Sequence, residues 1–297
     1  MSTKDFIRYI ISIILIYIIF DNYGSQILQT INIINYQYII LIIGISFIQY
    51  LLSAYRWMYV SQFTNLHINF SYSLKYYYIA SFMNNILPGG ILGDLYRIYC
   101  SSDNKKEIFK MGKSFQSVIF ERLSGQIMLF FIFITSLTIY FLINQKYIAF
   151  LYLFLPTILI FFLIKYFIKY KIKQYFGTKD IAKNFNRLFT GPIFWNHIIL
   201  SFFVVASYIL IYIISAISLG LEIDYLAFLV FSPIILFSMT LPVSIGGWGV
   251  REVTALLVSF LIGLSASASI SVSIIYGILN LICSLPGLFF FLNLRNR

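Results

Sequence analysis

The sequence predicts an all-α, polytopic helical membrane protein with about six full spans and two broken, re-entrant helical hairpins. Three observations predict it. Hydrophobic residues make up 60% of the 297 and charged residues only 10%, against about 25% charged in soluble domains, so lipid must solvate most of the chain. Apolar runs recur at lengths near the ~30 Å hydrocarbon core of a bilayer. Finally, two Leu-Pro stretches with clustered glycines interrupt those runs, and each leads to an acidic residue close to an arginine.

Residues 7–20 form a first apolar run between Lys4/Arg8 and Asp21. It lacks a small-residue cleavage site and reads as an uncleaved span. The segment 21–35 has no Lys or Arg and is expected as an outside loop. Residues 36–55 return and end at Arg56-Trp57, a basic-aromatic pair of the kind that marks an interface. The loop 61–75, with His67 and Lys75, is then cytoplasmic.

The first broken unit follows. Residues 71–87 make an arm of ~25 Å and residues 91–102 one of ~18 Å at 1.5 Å per residue. Both ends face the cytoplasmic side, so the unit is expected to dip in and return. Residues 115–143 make a helix of ~43 Å, longer than the core. Residues 147–164 return to the basic loop 165–190, and 193–219 cross outward to Glu222 and Asp224. The second broken unit, 225–241 and 249–264, is expected to re-enter from outside, with two full crossings as the alternative. The last span is 268–292, and Arg295 and Arg297 put the C-terminus inside.

The net charge of +11 collects in two loops. Lys165, Lys169, Lys171, Lys173, Lys179, Lys183 and Arg187 fall in one, and Lys105, Lys106, Lys110 and Lys113 in the other. Beside membrane spans such clusters mark the cytoplasmic side and contact anionic headgroups; nucleic acid is not expected as a partner. Residues 1–297 read as a single transmembrane domain of the cell membrane with both termini cytoplasmic, and a second copy of the chain is admitted as a partner.

The interruptions carry the functional signal. Asn85-x-x-Pro88-Gly89-Gly90 leads to Gly93-Asp94-x-x-Arg97, and Leu241-Pro242-x-Ser244-x-Gly246-Gly247-x-Gly249 leads to Arg251-Glu252. Proline removes a backbone donor and glycine permits dihedrals that end a helix. Within lipid such a break is tolerated only where protein or a wet cavity covers the freed groups. Paired breaks in two halves of a chain point to a transporter's binding site. Entering from opposite sides, the two tips are expected to meet near the midplane.

Three carboxylates lie in or beside apolar segments next to arginines: Asp94 with Arg97, Glu121 with Arg122, and Glu252 with Arg251. An ionised group at the bilayer centre costs ~3 kcal/mol on insertion scales, so partners or water must offset it. Asp94 and Arg97, three apart, share a helix face. Glu121-Arg122 and Arg251-Glu252 are neighbours that point ~100° apart on a helix, so each is expected to seek a partner on another segment, around one shared polar cavity. Two roles stand open for these groups. They fix helix register as buried pairs, or an arginine binds phosphate through its planar fork while a carboxylate receives an amine or a proton. Glu121 has a further option, reaching back to the interface from the first third of its helix.

Other residues point to less. Cys100 and Cys283 are expected as buried small apolar residues. His67 and His197 lie far apart without a carboxylate at metal spacing, and are expected in loops or at interfaces. Tyr76-Tyr77-Tyr78 fits an interfacial belt, and Asn84 and Asn85 are placed to bond the freed backbone carbonyls or a headgroup. Residues 265–269, alternating serine and alanine, suit close helix approach or a tight turn. The glycines precede no Gly-Lys-Ser/Thr, so there is no Walker motif, and no cofactor is expected.

The Asn85–Arg97 and Leu241–Glu252 motifs, with Glu121-Arg122 in the long helix between them, resemble the transmembrane region of lysylphosphatidylglycerol synthases, a family of flippase-like integral membrane proteins. The order and separation of the motifs match over essentially the whole chain. The resemblance implies that Asn85, Pro88, Gly89, Gly90, Gly93, Asp94, Arg97, Glu121, Arg122, Pro242, Ser244, Gly246, Gly247, Gly249, Arg251 and Glu252 form a substrate site. It also implies movement of a membrane phospholipid or lipid-linked substrate between leaflets. In bifunctional members a soluble half attaches lysine to phosphatidylglycerol; this sequence has no segment for that half, so enzyme activity is not expected. A membrane-embedded glycosyltransferase or other lipid-modifying enzyme, with Asp94 or Glu252 as base, is the alternative, and a non-transporting partner of a separate synthase is a third.

Overall fold

A computed structural model describes residues 3–102, 112–145, 184, 188 and 194–295. In chain order the helices are α1 (Thr3–Ile31), α2 (Tyr36–Phe63), α3 (Phe70–Ile86), α4 (Leu92–Ser101), α5 (Lys113–Ile143), α6 (Phe194–Ser218), α7 (Tyr225–Ser238), α8 (Val250–Val258), α9 (Ala266–Ser284) and α10 (Pro286–Arg295). A short 3-10 turn, Ser259–Ile262, follows α8. Five stretches among the described residues are long and apolar enough to cross a membrane: α1, α2, α5, α6, and α9 with α10. The expected span 147–164, most of the basic residues of the two loops (all but Lys113) and Arg297 lie outside the described residues.

α1 corrects the first expected boundary. It runs through Asp21 to Ile31, leaving only residues 32–35 as the turn in place of a loop over 21–35. The polar residues that looked like a loop are satisfied on the helix itself: Asn22 donates to the Ile18 carbonyl (2.8 Å) and Thr30 to that of Gln26 (2.9 Å). Ile19 and Ile27 of this helix pack against Ile270 and Ile274 of α9. α2 likewise runs on through the expected end at Arg56-Trp57, and both of those side chains are buried. They mark no interface. Asn69 then caps α3 by accepting from the Tyr72 amide (2.8 Å), so the loop expected at 61–75 shrinks to 64–69.

The two broken units take the expected form. α3 has 17 residues and α4 has 10; α7 has 14 and α8 has 9. At 1.5 Å per residue the longest arm is ~25 Å, short of the ~30 Å core. Both units therefore enter and return, and the alternative of two full crossings by 225–264 is excluded by length. Asp224 opens the second hairpin by accepting from the amides of Leu226 (2.9 Å) and Ala227 (3.2 Å). Asp224→Ala is expected to lower stability by about 1 kcal/mol, the usual cost of such a cap, read as a fall in the unfolding temperature in detergent.

The tips touch. Pro88 and Ile245 form an isolated antiparallel bridge, and the Gly89 amide donates to the Ser244 carbonyl (3.0 Å). Gly246 (φ +54°) lies so close that an added Cβ would be 2.5 Å from the Asn85 carbonyl oxygen. Behind the tips, Ser12 of α1 accepts from the Ile245 amide (3.0 Å), and Asn280 of α9 donates to Asn85 (3.2 Å). Asn280 is half-way along the span Ala266–Leu294, so the tips meet near its middle. Protein groups thus cover the freed backbone of the breaks, as lipid requires.

The last span is interrupted at Leu285-Pro286, and α10 lies against α3 at Gly287, where a Cβ would fall on the Tyr78 carbonyl. With α2 on its other side, α3 has little lipid-facing surface. Tyr78 is buried and stacked on Tyr50 (centroids 4.1 Å apart), and Tyr77 faces the interior, so the tyrosine run is not an interfacial belt. His197, expected in a loop or at an interface, is buried in α6. Cys100 and Cys283 are only half-buried. The serine-alanine run serves both expected purposes: Ser265 caps α9, and Ser269 donates to the Ala255 carbonyl of α8 (2.7 Å).

Candidate functional site

A cavity of about 190 Å³ lies between the two hairpins. Its charged wall is a relay of five side chains from three places in the chain. Glu121 of α5 is fully buried and sits at the centre. One of its oxygens accepts from Arg56 Nη2 of α2, and the other from Arg97 Nη2 of α4 (2.9 Å). The same Arg97 nitrogen reaches Asp94 Oδ1 (3.0 Å), and Asp94 Oδ2 pairs with Arg122. The order Arg56–Glu121–Arg97–Asp94–Arg122 alternates in sign throughout.

Local structure explains why these residues meet. Asp94 lies in the first turn of α4, where the helix dipole favours a carboxylate, and Arg97 is one turn on along the same face. Gly93 lets α4 lie directly on α3: a Cβ there would fall on the Ala80 carbonyl. Asn84, at the end of α3, accepts from the Gly93 amide (2.8 Å) and donates to Asp94 (3.4 Å). Its partner is thus a freed backbone amide, where a freed carbonyl was expected. The Arg97 guanidinium also lies 4.5 Å from the Trp57 ring centre and 4.8 Å from that of Tyr77, a desolvated cation held on aromatic faces.

The wall is not neutral. Three guanidiniums line the cavity against two carboxylates. Arg56 and Arg97 are nearly fully buried, yet among the described residues Nε and Nη1 of each have no hydrogen-bond acceptor. Arg122 differs: its side chain is 40% exposed, so the relay ends in a guanidinium open to an incoming group.

Arg251 and Glu252 form a separate pair, which corrects the expectation that each would seek a distant partner. Arg251 Nε donates to Glu252 Oε1 (3.0 Å) and to Ser273 Oγ (2.9 Å), and Ser273 donates on to Glu252 (3.2 Å). Neighbours on a helix interior diverge, but these stand in the first turn of α8. There Glu252 reaches back to the amide of Gly249 (2.7 Å), the helix cap at φ +86°. That bend brings its other oxygen to Arg251. The guanidinium packs over Trp248 (4.9 Å) and Tyr276 (5.7 Å) and against Gly277, where there is no side chain to displace it.

Of the sixteen residues expected at the site, Asn85, Gly90, Asp94, Arg97, Glu121, Arg122 and Gly246 line the cavity. Pro88, Gly89 and Ser244 build the bridge between tips, and Gly93 sets the approach of α4. Pro242, Gly247 and Gly249 shape the second loop, with Gly247 at φ +83° against Met239. Arg251 and Glu252 stand outside the cavity wall. The residue that sequence reasoning missed is Arg56. Its signal was present: apolar residues continue on both sides of it, through Tyr59 and Val60, so the helix did not end there and the charge needed a buried partner.

Neither the curated proteins nor the solved structures offer a match to the chain. The family model of the lysylphosphatidylglycerol synthase transmembrane region matches residues 6–287. With that match spanning both hairpins and the long helix between them, the chain belongs to the family of lysylphosphatidylglycerol synthase transmembrane regions.

Proposed function

We propose that this protein moves the headgroup of a membrane phospholipid or lipid-linked substrate between leaflets through the cavity between the hairpins, performing no chemistry on it. The observation that carries the reading is a charged cavity at the meeting point of two helix breaks, half-way along a spanning helix. A polar chamber at that depth is costly to build, and paired broken helices are where secondary transporters place their substrates. The lipid tails stay in the bilayer while the headgroup enters beside Arg122. In this reading the cavity residues of both hairpins form the substrate site, and the bridge residues keep the tips closed on each other. The chain acts as one domain of the cell membrane with both termini cytoplasmic, and its basic loops hold anionic headgroups nearby.

The test is transbilayer movement of a labelled phospholipid in proteoliposomes. Arg122→Gln is expected to slow it at least about tenfold, the worth of one charge-assisted hydrogen bond. Asp94 keeps Arg97 and Asn84 as partners in that variant, and its unfolding temperature in detergent shows whether it is folded. Movement at the unaltered rate in that variant, or equal movement in protein-free vesicles, overturns the proposal.

A further inference from the structure

The charge and hydrogen-bond accounts of the cavity go on to discriminate between kinds of headgroup; the argument rests on the cavity being the headgroup's passage. We infer that the cavity takes a headgroup of net negative charge, a phosphate ester with no balancing ammonium, in preference to a zwitterionic or aminoacylated one.

Three observations converge. The first is the surplus: among the described residues, Arg56, Arg97 and Arg122 face only Asp94 and Glu121. A buried cation without a counter-charge is expensive, and an entering anion supplies the missing one. The second is an open donor. The Arg122 side chain is 40% exposed and ends the relay with a guanidinium that an entering group can reach, and phosphate oxygens are acceptors that suit guanidinium.

The third observation concerns what an ammonium would find. It needs a carboxylate oxygen or an aromatic face. Glu121 Oε1 already accepts from Arg56 and Tyr77, and Oε2 from Arg97. Asp94 Oδ1 is taken by Arg97, and Oδ2 by Arg122 and Asn84. Arg97 also occupies the Trp57 and Tyr77 rings. Every carboxylate oxygen in the wall already accepts from a guanidinium, whereas the Arg122 guanidinium is still partly open. An ammonium would have to share those oxygens with an arginine, and an anion would not.

The experiment titrates the purified full-length chain with four soluble probes: dihexanoyl-phosphatidylglycerol, dihexanoyl-phosphatidylcholine, a lysyl ester of the former, and inorganic phosphate. The anionic lipid is expected to bind about tenfold more tightly than the zwitterionic one, one charge-assisted contact's worth, and more tightly still than the lysyl ester. Arg56→Gln should erase that preference. Asp94→Asn should move affinity the other way, tightening the anionic lipid about threefold by removing a competing acceptor and raising the surplus charge. If the relay is only a structural brace, Asp94→Asn weakens binding or leaves it unchanged, and the inference fails even where Arg56→Gln does not fold.

Equal or tighter binding of the zwitterionic or lysyl lipid overturns the inference. So does inorganic phosphate binding as tightly as the anionic lipid, which would make free phosphate the ligand. The same lipids in proteoliposomes separate the two readings. Preferential movement of the lysyl lipid refutes the anionic headgroup and leaves translocation standing. No movement of any lipid, with the anionic binding preference intact, refutes translocation and leaves the anionic site standing.

Discussion

Glu121→Leu is expected to destabilise the protein by about 3–5 kcal/mol, the cost of removing one partner from a buried ion pair. The residue is fully buried and is the only acceptor that the described structure gives Arg56. Without it, Arg56 has no counter-charge and Arg97 keeps only Asp94. The wall then carries three positive charges against one. Arg56→Met combined with Glu121→Leu removes both ends of the central pair and restores the original surplus, so the double variant should lose less stability than Glu121→Leu alone. Thermal unfolding in detergent of wild type, Arg56→Met, Glu121→Leu and the double variant completes the double-mutant cycle. A Glu121→Leu protein within about 0.5 kcal/mol of wild type, the range of an ordinary surface change, would mean that water or lipid compensates Arg56 and that the relay does not brace the fold.

Much of this architecture could be read before any coordinates because the relevant signals are local. Pro88-Gly89-Gly90 and Pro242 with Gly246-Gly247 end helices by their own backbone chemistry, so the first hairpin appears within a residue of its expected bounds, while in the second α7 stops three residues early at Ser238 and α8 gives way to a 3-10 turn after Val258. Asp94 and Arg97 pair because they lie one turn apart. What stayed hidden depends on partners remote in sequence. Arg56 and Glu121 are 65 residues apart, and beside Trp57 an arginine has the pattern of an interface. Only the apolar residues that follow, Met58 to Val60, separate that pattern from burial. Asp21 and Asn22 misled in the opposite way: polar residues suggested a loop, whereas Asn22 satisfies itself on the preceding turn.

The same distinction governs the pair in the second hairpin. Rules for neighbouring residues assume a helix interior, and Arg251-Glu252 occupies a first turn capped by a glycine at positive φ. A glycine cap at positive φ redirects one side chain and turns an unfavourable spacing into a contact. The two hairpins therefore have similar motifs with unlike electrostatics. The first sends its charges into the cavity; the second closes its charges on each other, leaving Gly246 and the backbone of its tip to face the first.

That closure depends on a residue with no side chain. Gly277→Ala is expected to cost about 3 kcal/mol, because its Cβ would fall on the Arg251 guanidinium. The arginine must then leave Glu252 and Ser273, breaking a buried pair, or the α9 backbone must retreat from α8. Gly125→Ala provides the control. It too faces an arginine, but its Cβ would sit 3.5 Å from Arg56 Nη1, an ordinary contact, and alanine is the better helix former by up to about 1 kcal/mol. Its stability should therefore hold or rise slightly. Parallel thermal unfolding of the two variants makes the comparison, each change adding one methyl beside one buried guanidinium. Equal losses in both would show that packing of the helices, and not the seat of Arg251, sets the effect. A loss confined to Gly277→Ala, relieved when Arg251→Met and Glu252→Leu remove the pair, would place the cost on the guanidinium itself.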